Sequence, residues 1–173
     1  MADVPHPLPT DRLEFRSWTE TDDALARALW GDSSVTRLIS KVPFDQATIT
    51  ARLHTEIASE REYSVQYWPA FLRMGGDLVG CCGLHMRDAA KKIYELGFHL
   101  RPAFWGKGFA TEAALAVIAF GFSQISASAL FAGHHPENEG SRKTLLKLGF
   151  RKTHEELYAP TGLMHPAYLL EAP

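Results

Sequence analysis

Residues 105–111 read WGKGFAT: two glycines two positions apart, a lysine between them, and an alanine-rich apolar run directly after. That pattern suits an anion. Main-chain N–H groups at a helix N-terminus have no internal partner, the macrodipole adds positive potential, and glycines let ligand oxygens approach the backbone. Lys107 adds a full positive charge. Just upstream, Glu95 and His99 share one face of an alternating stretch, and either can accept a proton directly or through water. His99 has the better unperturbed pKa for a base near neutral pH.

Two common phosphate motifs are excluded by position. A nucleotide P-loop needs a glycine five residues before Gly106 and a Ser or Thr after Lys107, where this chain has Arg101 and Gly108. A dinucleotide fingerprint accommodates Gly106 and Gly108, but its third glycine position is Thr111. No acidic residue follows about 20 positions on, in residues 126–131.

The stretch RPAFWGKGFATEA (residues 101–113) instead resembles the coenzyme A loop of the GNAT superfamily of acyl-CoA-dependent N-acetyltransferases. The branch it resembles most includes the ribosomal-protein alanine N-acetyltransferases, and ENEGSRKTLLKLGF (residues 137–150) strengthens the likeness. The general family loop opens with Gln or Arg three residues before the first glycine, a place held here by Ala103. The family grips phosphate mainly with main-chain donors, so this departure is tolerable.

The resemblance implies acetyl-CoA as cosubstrate. Its diphosphate would lie on Trp105, Gly106, Lys107 and Gly108 of the turn and on Phe109, Ala110 and Thr111 beyond it. Its pantetheine arm would run beside Phe98, His99 and Leu100, where the fourth strand splays from the fifth. Acetyl transfer to an amine needs a base for the ammonium proton, a donor for the oxyanion and a proton for the leaving thiolate. Glu95 and His99 are the candidate bases. The tyrosine that many relatives use as the acid, four residues before the glycine of the LGF triplet, is Leu145 here. In the ribosomal-protein branch a serine three residues after the helix-opening Asn lies near the cofactor sulfur, which here is Ser141, with Asn138 also contacting the cofactor; the same two residues also read as a helix cap and its partner.

The elements that must position these groups follow from periodicity. Strands are expected at residues 13–18, 67–73 and 78–86, in the alternating run that opens residues 94–111, and at 129–133, 151–157 and 165–170. Helices are expected at 21–29, 46–62, 111–124 and 138–148, with a possible helical turn at 35–39. Asn138 opens the last helix and Gly149 takes the place of its left-handed cap. Residues 74–77 (MGGD) are hairpin chemistry. Phe104 and Trp105 are expected as core anchors of the loop. This order matches the α+β fold of the resembled family: a mixed, mostly antiparallel sheet of about seven strands, flanked by about four helices and parted between strands 4 and 5. One domain is expected over residues 1–173, with 1–11 as a loosely ordered arm.

Composition narrows the partners. The chain has 173 residues, 46% of them hydrophobic, enough for one sizeable core, and a formal net charge of -2. That balance gives no general attraction to nucleic acid or an anionic membrane. The opening MADVPHPLPTDR carries three prolines and no apolar core, so it does not read as a secretory signal, and a cytoplasmic location is expected. Cys81 and Cys82 are adjacent and should face opposite ways, giving neither a disulfide framework nor a zinc site, and no metal is expected. His134 and His135 read as strand-end residues, and residues 161–168 as a turn and strand beside the acceptor. The expected function is direct transfer of acetyl from acetyl-CoA to a primary amine, a protein N-terminus or a small molecule, by a monomer or homodimer. The alternative is a non-catalytic acyl-CoA-binding sensor or interaction module.

Overall fold

The computed structural model describes residues 5–173, so the first four positions of the expected N-terminal arm lie outside the described residues. The alternating stretches form one seven-stranded sheet. Strands β1 (Leu13–Phe15), β2 (Tyr67–Leu72), β3 (Leu78–Asp88) and β4 (Ile93–Leu100) follow one another antiparallel. Strand β5 (Ala129–Gly133) runs parallel to β4, and β7 (Leu163–Glu171) pairs between β5 and the edge strand β6 (Arg151–Tyr158).

Each face of the sheet carries its own core. Helices α1 (Asp23–Trp30), α2 (Ser33–Thr36) and α3 (Gln46–Tyr63) cover one face, where Trp30, Ile49, Leu53 and Cys81 are buried together. Helices α4 (Phe109–Ser123) and α5 (Glu139–Lys147) cover the other, with Cys82, Leu84, Val117 and Leu145. The two cysteines are free and buried on opposite sides, as the period of a strand requires.

Local chemistry sets most element ends. Asp45 opens α3 by accepting from the Thr48 N–H at 2.8 Å, and Asn138 opens α5 by accepting from the Ser141 N–H at 3.0 Å. Gly149, left-handed at φ 89°, closes α5, and the Phe150 N–H returns to the Leu145 carbonyl at 3.0 Å. Differences from the sequence expectation also have local causes. Helix α4 starts at Phe109 rather than 111, because Gly108 takes φ 80° and turns the chain into the helix there. Strand β1 stops at Phe15, and the Trp18 N–H turns inward to Gln66 Oε1. The described residues form five α-helices rather than about four, since Asp32 caps Ser34 and makes a one-turn helix of residues 33–36.

The pairing of β4 with β5 is short. It joins Ile93 to Ala129, Tyr94 to Leu130 and Glu95 to Phe131, and then stops. From Leu96 to Leu100, β4 is paired with β3 alone, so the sheet opens into a cleft on that side.

Under the cleft floor, Glu56 of α3 is completely buried. Its Oε1 accepts from Arg52 Nε at 2.9 Å, and its Oε2 meets the Tyr67 N–H and His85 Nε2, each at 2.8 Å. Burial alone would raise its pKa, but His85, Arg52 and the Tyr67 amide hold the carboxyl below its ordinary value. The folded chain therefore binds this proton less readily than the unfolded chain. The stability it contributes is present above the ordinary carboxylate pKa and is lost as pH falls through the folded value. Glu56→Gln leaves Arg52 without its counter-charge and is expected to cost about 3 kcal/mol. Urea titration at neutral and acidic pH should show the deficit shrinking toward low pH.

Candidate active site

The parted strands, the α4 N-terminus, the α5 N-terminus and the α2–α3 side enclose one cleft of about 810 Å³. Its first wall is the glycine turn. Gly106 and Gly108 are both left-handed, at φ 71° and 80°, a conformation only glycine takes without strain. A Cβ on Gly106 would meet nothing within 4 Å, so space is not what selects glycine there; backbone shape is. That shape leaves the six main-chain N–H groups of residues 106–111 without an acceptor among the described residues.

The turn is braced from behind by residues that its own motif does not announce. Glu112 accepts from Thr10 Oγ1 at 2.5 Å, from the Arg12 N–H at 3.0 Å and from Arg12 Nε at 2.6 Å. Arg12 also donates to the Lys107 carbonyl at 3.1 Å and lies 4.1 Å over the Phe109 ring. These bonds hold the Glu112 carboxyl below its usual value against the opposing effect of burial. Thr10 and Arg12 are about 100 positions from Glu112 in sequence, and no local pattern links them.

The aromatic residues of the turn divide their tasks. Phe104 packs edge-on against Phe109, with centroids 5.8 Å apart. Trp105, expected as a second core anchor, is about half exposed instead, and its indole N–H donates to the Leu100 carbonyl at 2.8 Å. The bond fixes the ring at the end of β4, outside the core. Lys107 Nζ folds back onto the Ala103 carbonyl at 2.8 Å.

The second wall is β4 itself. Phe98, His99 and Leu100 line the cleft along the edge that β5 has left. His99 Nδ1 accepts from Trp30 Nε1 at 3.1 Å, which puts the ring proton on Nε2. Burial, with Arg52 adding to it, drives the His99 pKa well below its ordinary value. The imidazole is therefore neutral. Between Glu95 and His99, Gly97 leaves room for Tyr67, whose ring is stacked 3.9 Å from His85. A Cβ at Gly97 would fall 2.2 Å from the Tyr67 hydroxyl oxygen.

Glu95 opens onto the cleft beside Arg87, at 3.6 Å, and Arg87 holds Glu156 at 2.8 Å. Burial raises the Glu95 carboxyl above its ordinary value, and Arg87 only partly offsets this. Across the cleft, Asn138 and Ser141 stand at the start of α5. The Asn138 side chain is the cap, while the Ser141 hydroxyl has no bond among the described residues. Leu145 is buried in the core and offers no acid.

On the side expected to take the acceptor, Ser34, Ile39 and Arg52 line the cleft from the helical layer, and Tyr158, His165 and Pro166 line it from the closing strands. Leu163 and Met164, in the turn-and-strand segment expected there, are exposed. His134 bonds Tyr168 Oη at 3.2 Å, and no group of three or more His, Cys, Asp or Glu among the described residues could hold a metal. No described helix is long and apolar enough to cross a membrane. Arg52, Tyr67, His85 and Glu156 were not foreseeable at the cleft, because each sits in an element whose pattern is explained by packing alone.

Unpaired amides at a helix start, beside strands that part, fit a diphosphate joined to an extended amide-bearing arm. Comparison with known proteins agrees with that geometry. Residues 12–151 match the acetyltransferase (GNAT) domain family. The chain is 32% identical over 148 residues to an uncharacterised N-acetyltransferase, YoaA, of Bacillus subtilis, covering 84% of this chain and 82% of that one. The fold is similar to a GNAT-family acetyltransferase of Bacillus anthracis, with TM-score 0.82 and 22% identity over 96% of this chain and 98% of that one. It is also similar to RimL, a ribosomal L7/L12 alpha-N-protein acetyltransferase in complex with coenzyme A, with TM-score 0.81 and 15% identity over 96% and 98% of the two chains. The chain belongs to the GNAT acetyltransferase family and is an acyltransferase that uses acetyl-CoA.

Proposed function

We propose that the protein moves acetyl from acetyl-CoA to a primary amine by direct attack within a ternary complex. The observation that carries this is the row of six amides at residues 106–111 that have no acceptor among the described residues, beside the cleft where β4 leaves β5. Those amides would receive the diphosphate, and the free edge of Phe98, His99 and Leu100 would receive the pantetheine amides. Bound there, acetyl-CoA supplies an acyl group already activated as a thioester.

The protein's own groups then divide the proton traffic. An amine attacks only after losing its ammonium proton, and Glu95 is suited to take it, directly or through water. Its raised pKa makes it a stronger base than an exposed carboxylate. His99 is better suited to donate: its Nδ1 is taken by Trp30, and burial disfavours the imidazolium. The Ser141 hydroxyl, free of protein partners among the described residues, is suited to donate to the departing thiolate.

Gly108→Val forces a branched residue into a left-handed position beside the phosphate site. Calorimetry should show coenzyme A affinity reduced about tenfold or more, roughly 1.4 kcal/mol, with the circular dichroism spectrum retained. Unchanged affinity would remove the diphosphate from this loop. Glu95→Gln is expected to lower kcat/KM on the order of 10²-fold. It should also abolish a rising limb of the pH profile, centred above the ordinary carboxylate value because the Glu95 pKa is raised. Retention of that limb would assign the base elsewhere. Ser141→Ala should slow kcat roughly tenfold or more while coenzyme A binding stays near wild type, and an unaltered rate would leave Ser141 as a helix-start residue only.

A further inference from the structure

The cleft lining carries charges of both signs near one another. Glu95 and Glu156 line it, with Arg87 between them. Arg52 lines it from α3, paired with the buried Glu56 and near enough to Glu95 for its charge to act there. The rings of Tyr67, His85, Tyr158 and His165 line the space with them.

Arg52 is mostly buried, with its side chain 22% exposed, and its partners are unequally placed. Only Nε is engaged, by Glu56 Oε1. The other Glu56 oxygen is occupied by His85 and the Tyr67 amide. Neither Nη group of Arg52 meets an acceptor among the described residues. Its guanidinium carbon lies 5.4 Å from the Trp30 ring and 5.5 Å from the Tyr67 ring, so aromatic faces hold the group in place.

A lysine would neutralise Glu56 equally well as a point charge. Arginine does something more here: it satisfies Glu56 with one edge and keeps a two-pronged donor edge for something else. Leaving such donors poorly solvated and unpaired is unfavourable, and a bound carboxylate reverses that. Arg37, which forms no ion pair among the described residues, adds a second cation where α2 meets the cleft.

We propose that the acceptor is a small amine that also carries a carboxylate, received by the Nη edge of Arg52 while its amino group lies toward Glu95. This inference rests on the acetyl-transfer reading of the same cleft. It narrows the acceptor to the α-amino acid class and sets aside neutral amines and polyamines, which would bring only positive charge to Arg52.

The test compares each common α-amino acid with its own carboxamide, which keeps the amine and side chain and removes the charge. Acetyl transfer is followed by release of free coenzyme A, and acceptor binding by calorimetry on coenzyme A-saturated protein. At least one amino acid is expected to exceed its carboxamide about tenfold or more in kcat/KM, a difference of ~1.4 kcal/mol. Arg52→Gln should erase that preference through KM with kcat little changed, and Arg52→Lys should restore part of it. Should Arg52→Gln fail to fold, the wild-type comparison stands alone as the criterion. Carboxamides used as well as the acids, a preference surviving in folded Arg52→Gln, or no amino acid bound would each overturn the proposal. Carboxylate-selective binding without coenzyme A release would refute acetyl transfer and keep the anion site; equal turnover of acids and amides would do the reverse.

Discussion

The site exists because a parallel strand pair stops early. Strands β4 and β5 share three residue pairs and then part, which leaves main-chain groups of residues 96–100 facing a cleft rather than a ladder. Unpaired backbone in a protein interior is unfavourable unless something satisfies it. An extended ligand with its own amides can do so, in the manner of an added strand. The glycine turn sits at the end of that edge, so the same geometry that opens the sheet brings a helix start, with its main-chain amides, to one end of the gap.

The two faces of the sheet contribute differently. On the α4 side, burial is apolar and continuous, and it holds the helix whose first turn presents the main-chain amides of residues 109–111. On the α3 side, the core is interrupted by Glu56, a buried charge with three donors. That carboxylate orders Arg52, His85 and the start of β2, and through them sets the shape of that side of the cleft. A hydrophobic residue at Glu56 could fill the volume, but it would not direct the Arg52 guanidinium.

Gly97 and Tyr67 belong to the same arrangement. Tyr67 pairs with Gly83 on β3, and Gly83 pairs with Gly97 on β4. The tyrosine ring reaches β4 only because Gly97 presents no side chain there, whereas at Gly83 it is the close approach of the Gln66 carbonyl and the Tyr67 Cα that excludes one. His99 is then enclosed by Tyr67 on one side and tied to Trp30 on the other. Its neutral state follows from that enclosure, and the free-solution pKa gives no hint of it.

By itself the sequence determined whatever depends on near neighbours. The glycine turn, the caps at Asn138 and Gly149, the alternation in β4 and the opposed faces of Cys81 and Cys82 all act over a few residues, and periodicity and turn chemistry register at that range. The strand order and the parting of the sheet came from resemblance to a family, since no local rule specifies where a parallel pair should end. Only the tertiary structure decided the brace of Thr10 and Arg12 on Glu112, the exposure of Trp105, the Trp30 bond that fixes the His99 tautomer, and the convergence of Arg52, Glu56, His85 and Glu95. The bonds of Glu56 to His85, Trp30 to His99 and Arg12 Nε to Glu112 span 29, 69 and 100 positions, and no pattern local to either partner announces them. Pairing and desolvation at such range exist only once the chain has closed.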